Sequence, residues 1–350
     1  MADRRQAIQF RRLRPWDREG LWDVTTRGGR VEAFAPHDGL PAPTGTEAID
    51  CGGRAMLPPL ADMHVHLDKT LVDAANESGT LLEAIRRWGA IKPALSRENY
   101  RERARRAIRM AMSRGCARLR THVDVSPGAR GLDAMQAILE VREQLAPRVA
   151  LQVVALGNPG ASRADDDAMR EALRLGAGFV GGCPALAADM RACVRAAFDL
   201  AEEAGRGVDL HVDETEDPGK LSLEMIADEA LARGMQGRVV AGHCCSLDFV
   251  DEATAARVIA KVAEARIDVV SLPSCNLVLM GRGMHPAPRG LTRVRELRAA
   301  GVRVAAASDN VRDPFNPLGC YDLVKNASNL CHAAHQTSDE ENRACIEMEG

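Results

Sequence analysis

The sequence contains few aromatic residues and very few lysines. Aromatic residues make up 3% of the 350 residues, so the apolar core must be largely aliphatic. Only 5 of the 46 basic residues are lysine, and together the basic residues nearly balance 49 acidic ones. The resulting net charge of −3 gives no electrostatic indication of nucleic-acid binding. We therefore expect no nucleic-acid partner.

Long apolar segments and closely paired cysteines are also missing. No run reaches the roughly 18 apolar residues that a membrane-spanning helix needs, and the charged N-terminus lacks the apolar segment of a secretory signal. The 10 cysteines include no C-x-x-C pair, so their spacing predicts no zinc ribbon. We interpret them as reduced, mostly buried thiols. A cytoplasmic protein without a membrane partner is expected.

The composition is that of a globular chain, with 46% hydrophobic and 27% charged residues. Its length suits either two domains or one α/β barrel of about 250 residues with a small accessory domain. Short strands are predicted near residues 21–24 and 31–34, followed by a loop rich in proline and glycine. We expect a small β unit over residues 1–56, a barrel domain over 57–335 and a tail over 336–350.

From residue 57 onward, short β-type runs alternate with longer segments of helical periodicity. The runs end near residues 64, 122, 154, 180, 211, 243, 271 and 307. Helices are predicted over residues 101–114, 132–144, 165–175, 187–204, 221–233, 251–265 and 293–300. Such a series of βα units predicts an α/β fold, a parallel (β/α)8 TIM barrel. A doubly wound sheet is the alternative, but no G-x-G-x-x-G loop follows the first strand.

Polar side chains fall at the predicted strand ends, where an α/β barrel has its active site. His64 and His66 stand two residues apart on the first strand, so both imidazoles can face the barrel axis. His211 ends the fifth strand, and Glu214 follows three residues later. Neutral imidazoles with an oxygen donor suit a divalent metal that keeps one position for water. Taken singly, each residue has a structural alternative as a buried histidine or a loop carboxylate.

The sixth and eighth predicted strands add two further groups to the same barrel face. His243 ends the sixth strand, and Asp309 closes the eighth, where it can bind metal, act as a base or cap a helix. His122 and Asp124 on the second strand are candidates for a supporting pair that orients the site. The fourth strand ends without the lysine that commonly bridges two metals in such barrels, which favours one metal. The joint placement favours a metal site over unrelated structural roles.

Seven segments of the chain are similar to the amidohydrolase superfamily, and within it to the cytosine deaminase branch. They are Met63–Thr70 (MHVHLDKT), Arg120–Val125 (RTHVDV), Leu151–Ala155 (LQVVA), Asp209–Glu214 (DLHVDE), Gly242–His243, Gly290–Val294 (GLTRV) and Ser308–Gly319 (SDNVRDPFNPLG). The resemblance extends over residues 57–340. It implies a small N-terminal β-sandwich unit completed by C-terminal strands. Because the sequence stops at Gly350, we expect that sandwich to be incomplete.

The resemblance also implies a cofactor and a reaction. The cofactor is one divalent metal, Zn(II) or Fe(II), held by His64, His66, His211 and Asp309. The reaction is the hydrolytic deamination of a cytosine-like N-heterocycle, in which metal-activated water attacks an amidine carbon and ammonia leaves. Glu214 protonates a ring nitrogen, and His243 and Asp309 move the water proton.

Substrate recognition is predicted at three further positions. Asn158 stands after the third strand, where the family uses a glutamine to bind the ring edge, and Asn310 follows Asp309, where an acidic residue is common. Phe315 is predicted to contact the substrate as well. The alternatives are release of an amine from an aminotriazine, opening of a cyclic amide, and a non-catalytic ligand-binding fragment. We expect a small-molecule substrate and a homo-oligomer.

Overall fold

The computed structural model describes residues 6–349, and the chain divides into two compact units between Pro59 and Leu60. The boundary expected between residues 56 and 57 lies three residues earlier. Among residues 6–349, none of the helices combines the length and the apolar character needed to cross a lipid bilayer.

The first unit contains a five-stranded sheet within its described residues. Its strands are β1 (Ala7–Pro15), β2 (Trp22–Arg27), β3 (Arg30–Pro36), β4 (Thr46–Asp50) and β5 (Ala55–Met56). β2 pairs antiparallel with β1 and β3, whereas β4 and β5 run parallel to β1. The two strands predicted from the sequence are β2 and β3. β1 escaped prediction because three arginines interrupt its apolar pattern.

The second unit is built on eight parallel strands, counted over residues 60–349. They are β6 (Leu60–Val65), β7 (Cys116–Asp124), β8 (Ala150–Leu156), β9 (Phe179–Gly181), β10 (Gly207–Val212), β11 (Val239–His243), β12 (Asp268–Ser271) and β13 (Val304–Ala306). Each strand pairs with its neighbour in sequence. A bridge between Val65 and Asp309 joins the two ends of the sheet, and the Asp309 amide donates to the His64 carbonyl at 2.9 Å. The predicted TIM barrel is therefore confirmed.

Helices connect the barrel strands. They are α1 (Leu81–Ile91), α2 (Arg97–Met112), α3 (Asp133–Leu145), α4 (Arg163–Leu175), α5 (Met190–Ala204), α6 (Leu223–Ala232), α7 (Glu252–Glu264), α8 (Pro273–Leu279), α9 (Val294–Ala299), α10 (Leu323–Ala333) and α11 (Asp339–Glu347). The seven predicted helices correspond to α2–α7 and α9. Local signals fix their ends: the Ser162 hydroxyl caps α4 by accepting from the Asp165 amide, and Gly205 ends α5 in the left-handed conformation.

The expected tail over residues 336–350 is wrong for its described part, because α11 occupies most of it. The Ser338 side chain accepts from the Glu341 amide, and the Glu341 carboxylate accepts from the Ser338 amide, which together form a capping box. Ala344 and Cys345 are buried on one face of the helix. The polar composition concealed this helix because only that narrow face is apolar.

Met348 and Glu349 complete the seam between the first and last barrel strands. The Ala306 amide donates to the Met348 carbonyl at 2.8 Å, and the Ala61 amide donates to the Glu349 carbonyl at 2.6 Å. The Glu349 side chain is buried and accepts from Nδ2 of Asn326 at 2.7 Å. Burial, together with the neighbouring Asp62, raises the pKa of Glu349 well above its ordinary value. The seam thus satisfies backbone donors of two strands that otherwise lack ladder partners there.

Candidate active site

Four predicted metal ligands converge at the carboxyl ends of the barrel strands. Nε2 of His211 lies 3.2 Å from Nε2 of His64 and 3.1 Å from Nε2 of His66. Oδ1 of Asp309 lies 3.3 Å from Nε2 of His66 and 3.7 Å from Nε2 of His64. All four side chains are buried. Residues from β6, from β10 and from the segment after β13 therefore present four donor atoms to one point.

This donor set fits a divalent metal ion. Tetrahedral ligands at about 2.1 Å from an ion stand about 3.4 Å from one another, close to the donor distances measured here. Both carboxylate oxygens of Asp309 are buried without a hydrogen-bond partner in the described part of the chain, which favours a cation beside them. Burial and the neighbouring imidazoles lower the pKa of His64 and of His211 well below the ordinary value. Both rings are therefore neutral, as metal ligation requires.

A second layer of polar residues supports the His64 ring. The His122 ring stacks on it with 3.9 Å between ring centroids, and Nε2 of His122 lies 3.5 Å from Oδ1 of Asp209. Asp209 also accepts from Nη1 of Arg120 at 2.9 Å. A Cβ atom at Gly242 would lie 3.0 Å from the His64 ring, so glycine leaves room for this imidazole. Asp209 was not predicted, although it precedes His211 by two residues and so shares its strand face.

Asp124 does not form the predicted pair with His122 and instead belongs to a charged wall. Nζ of Lys69 donates to its Oδ1 at 2.6 Å, and Nε1 of Trp88 donates to its Oδ2 at 2.7 Å. Nζ of Lys92 lies 3.3 Å from the same Oδ2. Burial alone would lower the pKa of Lys69, but neighbouring carboxylates, Asp124 first, outweigh it and raise that pKa. Lys69 is therefore a fixed cation beside the predicted metal ligands.

Glu214 and His243 lie beside the ligand cluster. Nδ1 of His243 is 3.5 Å from Oε1 of Glu214, and its Nε2 is 4.0 Å from Oδ2 of Asp309. Burial and the Asp309 carboxylate raise the pKa of Glu214 well above its ordinary value, which favours the protonated form of this acid. Burial lowers the pKa of His243 to about 4, which keeps its imidazole neutral. The two groups differ in proton content, as an acid and its neutral partner should.

Backbone strain coincides with these groups. The φ angle is 68° at His243 and 62° at Asp309, in the left-handed region that residues other than glycine seldom adopt. Such conformations persist where the surrounding structure fixes them, and they concentrate at functional sites. The strained backbone turns both side chains toward the same cluster.

A cavity of about 250 Å³ lies next to the cluster. The three predicted substrate-binding residues, Asn158, Asn310 and Phe315, all line it. Asn158 is exposed at this cavity, whereas Asn310 is buried and donates from Nδ2 to Oδ2 of Asp313 at 2.7 Å. Apolar side chains add to the lining: Leu81, Ile85, Leu156 and Leu186. The cavity combines apolar walls with a few polar groups, as sites for small molecules do.

Three cavity-lining residues escaped the sequence analysis: Lys69, Trp88 and Lys92. Lys69 stands in the segment that carries the first metal-ligand pair, three residues after His66. Lysine is scarce in this chain, with 5 in total, so Lys69 close after a predicted strand end was an available signal. Trp88 lies on α1, which was not predicted.

Residues 78–344 match the family described as "Amidohydrolase family", and the chain belongs to that family. A pterin deaminase from Rhizobium rhizogenes is 37% identical over 331 residues, which are 91% of this chain and 75% of the relative. Among solved structures, 5-methylcytosine deaminase from Klebsiella pneumoniae superposes with a TM-score of 0.90 at 33% identity, over 97% of this chain and 84% of that one. N-isopropylammelide isopropylaminohydrolase from Burkholderia multivorans gives a TM-score of 0.82 at 29% identity, over 98% and 85%.

The expected resemblance to the amidohydrolase superfamily and its deaminase branch is thus confirmed. Two relatives above 30% identity are named as deaminases of different rings, one a pterin and one a methylated cytosine. The chain itself has a histidine and aspartate cluster able to hold a metal ion.

Proposed function

We propose that the protein is a metal-dependent hydrolytic deaminase of a small N-heterocycle, with a cytosine-like ring as the first candidate substrate. The observation that carries this proposal is the position of Glu214. A half-buried acid with a raised pKa lies beside the four converging donor atoms and lines a cavity suited to a small molecule. The named deaminases among the relatives support the same chemistry.

The metal would be held by His64, His66, His211 and Asp309 as one Zn(II) or Fe(II) ion. When bound, such an ion lowers the pKa of a water molecule and makes it a nucleophile near neutral pH. Burial lowers the pKa of His64 and of His211, which keeps these two imidazoles neutral, and Asp309 supplies a carboxylate to the site.

The side chains around the cluster move the protons. Glu214 donates its proton to the ring nitrogen next to the amino-bearing carbon, which makes that carbon more electrophilic. Asp309 accepts the proton of the attacking water, with His243 as its electrostatic partner and proton relay. After the new C–O bond has formed, the proton held by Asp309 moves to the amino nitrogen, the exocyclic C–N bond breaks and ammonia leaves. The hydroxyl proton on the attacked carbon returns to the Glu214 carboxylate. The ring then carries an oxo group where the amino group stood.

The cavity orients the ring through both faces and edges. Asn158 offers one donor and one acceptor, which match the edge of an amidine or a lactam. The apolar side chains of Leu81, Ile85 and Phe315 line the cavity for contact with the ring itself. The ammonium of Lys69, fixed by Asp124, lines the same cavity and favours an electron-rich oxo group on the substrate.

A fused pterin ring is the second candidate substrate. The identity of 37% to a pterin deaminase, over 91% of this chain, supports this candidate. The acid, the metal ligands and the leaving group remain the same for both rings. Release of an alkylamine from an aminotriazine is a third reading, supported by the N-isopropylammelide hydrolase at 29% identity.

The test is an assay of ammonia release by protein loaded with Zn(II) or with Fe(II). The panel comprises cytosine, 5-methylcytosine, pterin, an N-alkyl aminotriazine and a cyclic amide, and the His211→Ala variant is the control for metal-dependent turnover. We expect ammonia from cytosine, 5-methylcytosine or pterin, and none with the control. Alkylamine release alone, ring opening alone, or no turnover of any compound would contradict the proposal.

A further inference from the structure

Helix α8 brings one side chain against a group that comes from another barrel strand. Nδ2 of Asn276 lies 3.1 Å from Nδ1 of His243. Asn276 is fully buried. The segment after β12 thus contributes to the site, although no residue from it was predicted.

We infer that Asn276 is a positioning residue that holds His243 in the tautomer protonated at Nε2. An amide nitrogen offers only hydrogens, so the Nδ1 atom that faces it at 3.1 Å must accept. A neutral imidazole whose Nδ1 accepts carries its single proton on Nε2. If the Asn276 amide were rotated so that its oxygen faced Nδ1 of His243, Nδ1 would have to carry the proton. The tautomer of His243 therefore shows which atom of the Asn276 amide makes this contact.

Glu214 is the other polar group near Nδ1 of His243. Its Oε1 lies at 3.5 Å, beyond the 3.1 Å of the Asn276 contact. An ionised Glu214 would compete by accepting a proton from Nδ1, whereas a protonated Glu214 leaves Nδ1 free to accept. The arrangement around His243 therefore favours the protonated form of Glu214, as the proposed general acid requires.

The consequence for catalysis rests on the proposed function. Nε2 of His243 points toward the ligand cluster, 4.0 Å from Oδ2 of Asp309. With the proton on Nε2, His243 presents a hydrogen-bond donor to the reacting centre and stabilises negative charge that develops on the attacked carbon's new oxygen. Asp309, which has no such proton, is then the first acceptor for the water proton. By fixing this tautomer, Asn276 makes His243 the hydrogen-bond donor and leaves Asp309 as the proton acceptor.

Long-range ¹H–¹⁵N correlation spectra of the Zn(II)-loaded protein, labelled with ¹⁵N-histidine, distinguish the two neutral tautomers. The His243→Gln variant assigns the His243 signals. We expect the Nε2-protonated form in the unaltered protein. Asn276→Asp offers only acceptor atoms and should switch His243 to the Nδ1-protonated form. Asn329→Ala is the matched control, because the Asn329 amide donates to Oγ of Ser274 on the same helix, at 3.0 Å, and this change should leave His243 as it is.

Kinetics on a substrate from the panel provide the second readout. We expect Asn276→Asp and Asn276→Ala to keep one bound metal and a KM within about threefold, while kcat falls on the order of 10- to 100-fold. An Nδ1-protonated His243 in the unaltered protein, or one that Asn276→Asp does not change, overturns the inference. The Nε2-protonated form together with no turnover of any substrate would overturn the proposed function and leave the positioning role intact.

Discussion

Nε2 of His66 and Nε2 of His211 lie 3.1 Å apart, although 145 residues separate them in the sequence. Both rings lie in the barrel interior, and each directs the same ring nitrogen toward the other. Two ring nitrogens come this close without repulsion only when a proton or a cation lies between them. Asp309 stands within 3.3 Å of the same point on His66, which favours a cation.

We predict one tightly bound divalent ion per chain, because four donor atoms converge and no lysine follows β9. Elemental analysis of the purified protein should give a stoichiometry near one. His211→Ala and Asp309→Asn should each remove most of the metal, whereas His285→Ala, at an exposed loop residue, should remove none. Two ions per chain, or none in a folded sample, would show the assignment to be wrong.

Replacing Glu214 by glutamine should preserve metal binding and abolish most turnover. The amide has the same shape but cannot donate the proton that activates the ring, so kcat should fall by about 10²- to 10⁴-fold. Steady-state kinetics measure the expected loss of turnover, and metal analysis of the same sample measures the retained metal. Glu224→Gln is the matched control: Glu224 lies on α6, where it pairs with Arg257 and Lys261, and this change should leave kcat and metal content as in the unaltered protein. Activity within about threefold of normal would remove Glu214 from the mechanism.

Asn158 should set the choice of ring. Leaving a buried polar edge of the substrate unpaired costs about 1–3 kcal/mol, which corresponds to roughly ten- to a hundredfold in discrimination. Asn158→Gln should therefore change the ratio of kcat/KM between cytosine and pterin by about that factor, with metal content unchanged. An unaltered ranking of the panel, or a ligand-bound structure with Asn158 away from the ring, would be evidence against this role.

Glu349→Gln should stabilise the protein near neutral pH. The pKa of Glu349 in the folded chain is raised above the unfolded value of about 4.3, so the folded state binds the extra proton. Stability is then lost as the pH rises from the unfolded pKa toward the folded one, by about 1.4 kcal/mol per unit. Glutamine keeps an acceptor for Asn326 and cannot ionise. Urea unfolding between pH 4 and pH 8 should give a flatter dependence for this variant.

The exposed neighbour Glu347 supplies the control for that experiment. Glu347→Gln should leave the pH dependence of the unfolding free energy as it is in the unaltered protein, because its carboxylate is in water in both states. If Glu349→Gln lowers stability across the whole pH range, the carboxylate is needed for more than its hydrogen bond to Asn326.

The strand ends, and the convergence of His64, His66, His211 and Asp309, were predictable because both follow from local patterns. The apolar runs of the barrel strands are buried on both faces, so they stand out against the helical segments. The spacing of two residues between His64 and His66 places both side chains on the same face of a strand, and this inference does not depend on the rest of the chain. The N-terminal strand β1 and the helix α11 lack such contrast, since arginines or acidic residues alternate with their few apolar positions.

The hydrogen-bond partners of the candidate site residues were not predictable in the same way. His122 pairs with Asp209 on β10 and not with Asp124 on its own strand. Tertiary packing decides which side chains meet inside the barrel, and the spacing along one strand does not determine it. Asn276 contacts His243 from the short helix α8, and Pro273 at its start is the one local sequence feature that indicates this helix. Such contacts depend on how the strands are arranged around the barrel, and no local sequence pattern gives the distance between side chains on different strands.

The seam at Met348 and Glu349 has a consequence for the order in which the chain folds. Its hydrogen bonds join Ala61, on the first barrel strand, to Glu349, so they span nearly the whole second unit. Closing a loop of that length costs entropy that shorter contacts do not. During synthesis the emerging sheet therefore stays open, with β6 as an exposed edge that invites association with other chains. The edge is covered only when the residues of α11 and the seam have left the ribosome, so closure of the barrel is a late event.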